Sequence, residues 1–311
     1  MNVAVIGLGL IGGSLLRALA AGGHRVTGFD ADVATRSRAA GAGFTVADTI
    51  GTAVAGADLV ALAVPLPVLG EVLVELTGFD GLITDVASVK GPVLELARKH
   101  SLPRYVGGHP MAGKETSGFA ASEPGLFDGC AWVLCLEPQT ALDDWLTLAA
   151  LVTAMGARVV PATATEHDRA VAEVSHMSHL FAAVLAASIT DSPLAATLAA
   201  GSFRDGTRVA ATRAELILAM VEGNRVEVGN ALDRVIEELA AVRDRLESGD
   251  LIDYLRRTGD ARRAWPPAAG KPHEIPAGVA ELLALGRDGG WVTAVAENRA
   301  SVVAIRPETA A

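Results

Sequence analysis

Over the first 160 or so residues, short runs rich in β-branched side chains alternate with longer stretches of helical periodicity. The runs fall at residues 3–6, 25–29, 59–64, 82–86, 104–106, 131–136 and 158–160. They are apolar at consecutive positions, as strands covered on both faces must be. With a helix between most of them, the pattern predicts an α/β fold built on a doubly wound, mostly parallel sheet.

From Thr165 onward the strand pattern stops. Thr165, with Asp168 three residues later, has the form of a helix N-cap and its reciprocal acidic partner. Three or four helices follow, and in a long one Ile236, Leu239, Val242 and Leu246 mark a single apolar stripe, a face for core or for intersubunit packing. A Pro-rich linker then runs from Trp265-Pro266-Pro267 through Pro272 to Pro276. Beyond it, residues 277–285 read as a helix, and 291–296 and 301–305 as a hairpin around Glu297-Asn298-Arg299. The expected organisation is a sheet domain over 1–163, an all-α domain over 164–263, and a linker with a helix-hairpin tail over 264–311. The tail is too short for an independent domain, and the chain shows no internal repeat.

Composition narrows the partners. Of the 311 residues half are hydrophobic and 20% charged, as in a globular protein long enough for two domains. The net charge of −10 argues against nucleic acid, which needs clustered Lys and Arg. It leaves room for an anionic substrate, because one or two arginines can dominate the local field. Cys130 and Cys135 are five apart in an apolar run, which on a strand puts them on opposite faces. Two reduced thiols fit a cytoplasmic protein. The first strand begins at Asn2, which leaves no stretch for a signal peptide. No uninterrupted apolar run reaches the roughly 18 residues of a membrane span, since Pro65 and Pro67 break one candidate and Asp191 ends another.

The first run ends in Gly7-Leu8-Gly9-Leu10-Ile11-Gly12-Gly13-Ser14. A G-x-G-x-x-G sequence alone is a weak signal, but this one follows a strand and opens a helix. A second strand then ends at Asp30, 18 positions after Gly12. That is the context of a Rossmann-type dinucleotide site. Gly7 permits the tight turn, Gly9 lets backbone approach the pyrophosphate, and Gly12 allows close helix–strand packing. The amides of Leu10 and Ile11 open the helix whose N-terminus faces the phosphates. Asp30 can bind the adenosine ribose and would repel a 2′-phosphate, which favours NAD over NADP. The bland alternative for Asp30 is a solvated turn residue.

Ligands of an open parallel sheet gather beyond the carboxyl ends of its strands. One end is Val64-Pro65-Leu66-Pro67, which can wall a nicotinamide pocket. The next, Thr84-Asp85-Val86-Ala87-Ser88, places Ser88 at the mouth. Another leads into Gly107-Gly108-His109-Pro110-Met111-Ala112-Gly113 and places His109 there. A neutral imidazole beside a nicotinamide can take the proton of an alcohol that loses hydride. In the helical part, Ser175-His176-Met177-Ser178-His179 puts Ser175 and His179 on one helix face. A metal site from Glu173, His176 and His179 has no second ligand cluster to complete it, so no metal is expected. Phe203-Arg204-Asp205-Gly206-Thr207-Arg208 is either a surface ion-pair cluster or a guanidinium held for carboxylate recognition.

Together the segments GLGLIGGS, DVASVKG (85–91), GGHPMAGKETSG (107–118), SHMSH (175–179) and FRDGTRVA (203–210) resemble the prephenate/arogenate dehydrogenase family. The resemblance covers roughly residues 1 to 250, and HPMAG is its most specific element. It implies a Rossmann domain followed by a helical dimerisation domain, hence a homodimer, with NAD as cofactor and no metal. It also implies oxidative decarboxylation of prephenate or arogenate in tyrosine biosynthesis. His109 would accept the proton or hydrogen bond of the ring hydroxyl, and Ser88 would orient it. Arg208 would bind a substrate carboxylate, His179 and Ser175 would line the cleft, and Glu115 and Asp205 would join an ionic network around Arg208. The chain departs from the family after the arginine motif. Relatives often carry Asp-Pro and then Trp, whereas here Thr212-Arg213-Ala214 leads to Ile217. The tail is also shorter than the regulatory domain some members carry.

Two other readings compete. Dehydrogenases of the 3-hydroxyacid type use a lysine in the helical domain, and residues 165 to 265 contain none. A catalytically silent NAD-binding sensor would need a defect among His109, Ser88 and Arg208, all of which are present.

Overall fold

The computed structural model describes residues 1–308; positions 309–311, the end of the expected tail, lie outside the described residues. The chain divides into two compact units. Unit 1 holds Met1–His167 and Gly270–Pro307, and unit 2 holds Asp168–Ala269 with Glu308.

Unit 1 begins with the alternating pattern expected. The strands are β1 (Asn2–Ile6), β2 (Arg25–Phe29), β3 (Thr45–Val46), β4 (Leu59–Leu62), β5 (Leu82–Asp85) and β6 (Tyr105–Val106). Between them run α1 (Leu10–Ala21), α2 (Val33–Gly41), α3 (Ile50–Val54), α4 (Leu66–Glu75) and α5 (Gly91–Lys99). All strand pairs are parallel, in the order β3-β2-β1-β4-β5-β6, the arrangement of a Rossmann domain. Val3, Ala4, Val5 and Ile6 are all buried, as a central strand covered on both faces requires.

A second sheet lies beyond the sequence reading. Its strands are β7 (Gly108–Pro110), β8 (Ala131–Cys135), β9 (Arg158–Ala162), β10 (His273–Pro276), β11 (Trp291–Val295) and β12 (Ser301–Ile305), in the order β10-β12-β11-β9-β8-β7. The expected runs 131–136 and 158–160 pair in parallel here and not in the first sheet. The tail, expected as a separate segment, belongs to this sheet. Its hairpin docks β11 antiparallel on β9, and α14 (Val279–Arg287) packs on the same strand. Leu282, Leu285, Val292, Val302 and Ala304 are fully buried in a core shared with Leu15, Leu19, Trp132, Leu134 and Trp145. Burial of that apolar face makes the tail part of the unit. Between β8 and β9, α6 (Leu142–Ala154) covers the sheet, and Trp145 Nε1 donates to Leu134 O at 3.1 Å.

The next helix begins at α7 (Ala164–Val171). The capping box lies two residues before the expected Thr165/Asp168 pair. Thr163 Oγ1 accepts from Glu166 N at 3.2 Å, and Glu166 Oε2 accepts from Thr163 N at 2.9 Å. Burial alone would raise the Glu166 carboxyl, but hydrogen bonds from Thr163 and Arg287 together hold it below the ordinary value.

Unit 2 is helical throughout. It contains the second half of α7, a π-helical turn (Ala172–His176), α8 (Met177–Ala187), α9 (Pro193–Leu198), α10 (Gly201–Thr207), a 3₁₀ turn (Arg208–Ala211), α11 (Ala214–Gly223), α12 (Arg225–Ser248) and α13 (Ile252–Arg263). Its buried apolar cluster is small: Ala172, Met177, Val228 and Ala231. The stripe on α12 is not core in the single chain, where Ile236, Leu239 and Leu246 are 55%, 58% and 67% exposed. Among the described residues one helix, Ala164–Ala187, is long and apolar enough by length and composition to cross a membrane. This differs from the sequence reading because Ala residues keep its mean hydropathy high across the polar positions.

Candidate active site

The glycine loop joins β1 to α1. Gly7 has φ +95°, and a Cβ there would stand 2.5 Å from Ala63 O. A Cβ on Gly12 would stand 1.9 Å from Gly7 O. These two positions admit only glycine. Gly9 is different, since a Cβ there would meet nothing within 4 Å. It is the N-cap of α1 and no side chain caps that terminus, so the first-turn amides of Leu10, Ile11 and Gly12 have no intrahelical acceptor. An open approach to uncapped amides suits a pyrophosphate. Val64, half-buried, packs against Gly7, and Pro65 is the N-cap of α4.

Asp30 follows β2, and its carboxylate is bound into the site. Oδ2 accepts from Leu8 N at 2.7 Å and Oδ1 from Asp32 N at 2.8 Å. The carboxylate thus holds the glycine loop, a role the sequence reading does not assign. Arg36 Nη1 donates to Asp30 O at 2.6 Å. These residues fit NAD: glycine backbone and helix amides for the pyrophosphate, and a carboxylate for the ribose.

Ser88, half-buried, stands in the loop between β5 and α5. Asp85 and Lys90 on either side of it form a fully buried ion pair, and Tyr105 OH donates to the other carboxylate oxygen. Lys90 Nζ also donates to Gly108 O at 2.6 Å. The Ser88 loop is therefore tied to the strand that carries His109. His109 is half-buried in β7, opposite Val133 of β8. Its Nδ1 lies 2.8 Å from Nε2 of His167, which is 2% exposed. His167 and Lys90 carry no role in the sequence reading. The 58 residues between His109 and His167 leave no local signal of their pairing, and Lys90 stands in the motif DVASVKG without a partner named by the sequence.

In unit 2, the 3₁₀ turn that begins at Arg208 is joined to α8, because His179 Nδ1 lies 3.3 Å from Val209 O. The arginine segment and the SHMSH helix are thus brought together. Arg208 and Asp205 are exposed, while Ser175 lies half-buried in the π-helical turn. His176 is a buried structural residue: its Nδ1 is 3.3 Å from Nδ2 of Asn224, which also donates to Asp168 O at 2.6 Å. Glu173 pairs with Arg234 at 2.7 Å. The three residues of the metal alternative thus have different partners, and among the described residues no three His, Cys, Asp or Glu side chains group as metal ligands. Glu115 is exposed in the loop after β7, in unit 1.

Comparison with known proteins gives this geometry a family. The nucleotide-binding domain of prephenate dehydrogenase matches residues 15–161, and its dimerization domain matches 163–258. Prephenate dehydrogenase of Bacillus subtilis is 32% identical over 85% of this chain and 76% of its own length. Cyclohexadienyl dehydrogenase of Zymomonas mobilis is 33% identical over 85% of this chain and 95% of its own. The crystal structure of prephenate dehydrogenase from Aquifex aeolicus, in complex with hydroxyphenyl propionate and NAD+, superposes with a TM-score of 0.79 at 25% identity. That match covers 85% of this chain and 97% of the other.

The two contacts of Asp30 generate a prediction. Asp30→Ala should weaken NAD binding about tenfold or more, the worth of roughly 1.5–3 kcal/mol for hydrogen bonds to a charged group. NADP should bind no better than before, because the glycine loop itself is loosened. Titration calorimetry with both cofactors checks this, and an Asp30→Ala protein that gains NADP affinity at unchanged loop order would contradict it. On the motifs, the folds and the matched lengths, the chain belongs to the prephenate/arogenate dehydrogenase family and is an NAD-dependent oxidoreductase of that kind.

Proposed function

We propose how the family's reaction, NAD-dependent oxidative decarboxylation of prephenate or arogenate, is divided among the residues of this chain. The observation that carries the reading is that one compact unit holds both an uncapped dinucleotide loop and a half-buried imidazole, His109, within hydrogen-bond distance of a second imidazole. Gly7, Gly9, Leu10, Ile11, Gly12 and Asp30 would hold NAD, with Val64 and Pro65 walling its nicotinamide, and the cofactor would supply the hydride acceptor. His109 takes the proton of the ring hydroxyl, so the oxygen can become a carbonyl as hydride leaves and CO2 is lost. Ser88 orients that hydroxyl. By the family resemblance, Arg208 binds a substrate carboxylate by its two-pronged guanidinium, with Ser175 and His179 as further substrate-binding residues. Glu115 and Asp205 are the acidic members of the site.

The helical unit is the homodimer surface in this reading. Four small or flexible side chains are too little core for about 100 residues, and large apolar side chains stand exposed on α8, α11, α12 and α13. A second copy of the same face covers them. The placement is cytoplasmic: neither cysteine is in a disulfide, and burial pushes the Cys130 thiol up to about 11.

Three measurements check these assignments. His109→Asn should lose about 10²–10⁴ in kcat while still binding NAD, the usual worth of a general base. In the wild type, kcat/KM should fall on the acid side as imidazole becomes protonated, and this limb should vanish in the variant. Turnover near wild type in His109→Asn would move the base elsewhere. Arg208→Ala should raise KM for substrate roughly thirtyfold or more, since losing one partner of a desolvated charge pair costs about 2–5 kcal/mol. Arg204→Ala should change it little, and equal effects would mean the arginine is misassigned. Light scattering should give twice the chain mass for the wild type and the single-chain mass for Leu239→Glu. A monomeric wild type would remove the dimer.

A further inference from the structure

Two ring nitrogens 2.8 Å apart cannot both present lone pairs, so a hydrogen lies between His109 Nδ1 and His167 Nε2. The rings meet edge to face, with centroids 5.1 Å apart and planes at 73°. Two proton arrangements satisfy this contact. In one, His109 donates from Nδ1 and its Nε2 carries the lone pair. In the other, His167 donates and His109 holds its hydrogen on Nε2, where it cannot act as a base. The contact is symmetric in distance but not in consequence.

We propose that His167 is a positioning residue that holds His109 in its Nδ1–H form, so that Nε2 is the atom that accepts the proton of the substrate hydroxyl. This rests on the reading of His109 as the base. In the step, the substrate O–H bond breaks and an Nε2–H bond forms, while the Nδ1–H bond stays in place and continues to point at His167. The neutral His167 then accepts from an imidazolium, and a hydrogen bond to a charged donor is the stronger one. The pair therefore favours the protonated product of the transfer over the neutral ring before it.

Both partners are held for this. His167 is 2% exposed, and its backbone N donates to Thr163 O at 2.9 Å in the first turn of α7. That turn is fixed by the Thr163–Glu166 box, by Glu137 Oε1 accepting from Ala164 N at 2.6 Å, and by Arg287 on Glu166 at 2.6 Å. On the other side, Lys90 Nζ binds Gly108 O, so the backbone beside His109 is fixed by a buried charge. A histidine that merely filled space would not need this framework on both of its ends. Orientation of a catalytic imidazole through its second nitrogen is a recurring requirement of acid–base sites.

The test uses His167→Leu, His167→Gln, His109→Asn and the double variant His109→Asn/His167→Leu. His167→Leu should lower kcat on the order of 10–100-fold, the scale on which outer partners of a functional histidine act. KM for prephenate and the Kd for NAD should stay within about twofold of wild type. His167→Gln, whose amide oxygen can accept from His109 Nδ1, should recover most of the loss. In the double variant, His167→Leu should cost nothing beyond His109→Asn, because it acts through that ring. Imidazole ¹⁵N shifts of the wild-type protein should show His109 protonated at Nδ1, and the preference should weaken in His167→Leu. Wild-type turnover in His167→Leu, a His109 that carries its hydrogen on Nε2, or an undiminished loss in the His109→Asn background would each overturn the proposal. A His167→Leu protein that fails to fold leaves the wild-type ¹⁵N shifts and His167→Gln to decide it. Active His109→Asn would instead overturn the base assignment itself, and the two failures are read from different variants.

Discussion

The Asp85–Lys90 ion pair is the constraint on which the site depends. Both side chains are buried, 0% and 1% exposed, where an unpaired charge would cost several kcal/mol even after relaxation. Both members make further hydrogen bonds. The carboxylate receives Lys90 and Ala87 N on one oxygen and Tyr105 OH on the other, and the ammonium also donates to Gly108 O. A buried pair of this kind is poor grounds for net stability, because an apolar pair of equal volume often serves as well. What it supplies is register. It joins the end of β5, the start of α5, β6 and β7, and so fixes the last parallel strands of the first sheet against the first strand of the second. Ser88 lies between its two members and His109 follows its backbone acceptor. The approach is close enough that a Cβ on Gly108 would stand 2.7 Å from Asp85 O.

The parts of this fold that were legible in sequence are those whose signal is local. Consecutive apolar positions marked the parallel strands, and a strand followed by G-x-G-x-x-G and a later Asp30 marked the dinucleotide loop, because strand, glycines and helix start are contiguous in sequence. The second sheet was not legible. β7 is three residues, one glycine and one proline among them, and β11 pairs with a strand more than a hundred residues earlier. No periodicity encodes that choice of partner. The helix start shows the same division. Thr163 and Glu166, like Thr165 and Asp168, satisfy the capping pattern, so local sequence allowed both. Glu137 on the amide of Ala164 and Arg287 on Glu166 select the earlier one, and both come from distant parts of unit 1.

The candidate site divides along the same line. His109 and Ser88 were singled out because strand ends are where an open sheet presents chemistry. Asp30 was singled out for its ribose chemistry, but its grip on Leu8 N, 22 positions away, had no local signal. His167 was missed for a related reason: its neighbours Glu166 and Asp168 make it look like part of a solvated helix start, whereas the capping network turns it inward.

The histidines of the helical region show how far local pattern can mislead about role. Ser175-His176-Met177-Ser178-His179 reads as one polar face with repeated imidazoles. A π-helical turn, Ala172–His176, ends within this stretch and is followed by α8. His176 is turned into the interior beside Asn224, while His179 is turned toward Val209 O, next to Arg208. An ordinary α-helix through these residues would keep Ser175 and His179 stacked on one face, at i and i+4. A π turn is a costly departure from helical geometry and is concentrated at functional positions in helices. Here it ends at His176, which is buried against Asn224, three residues before His179, which lies against Val209 O.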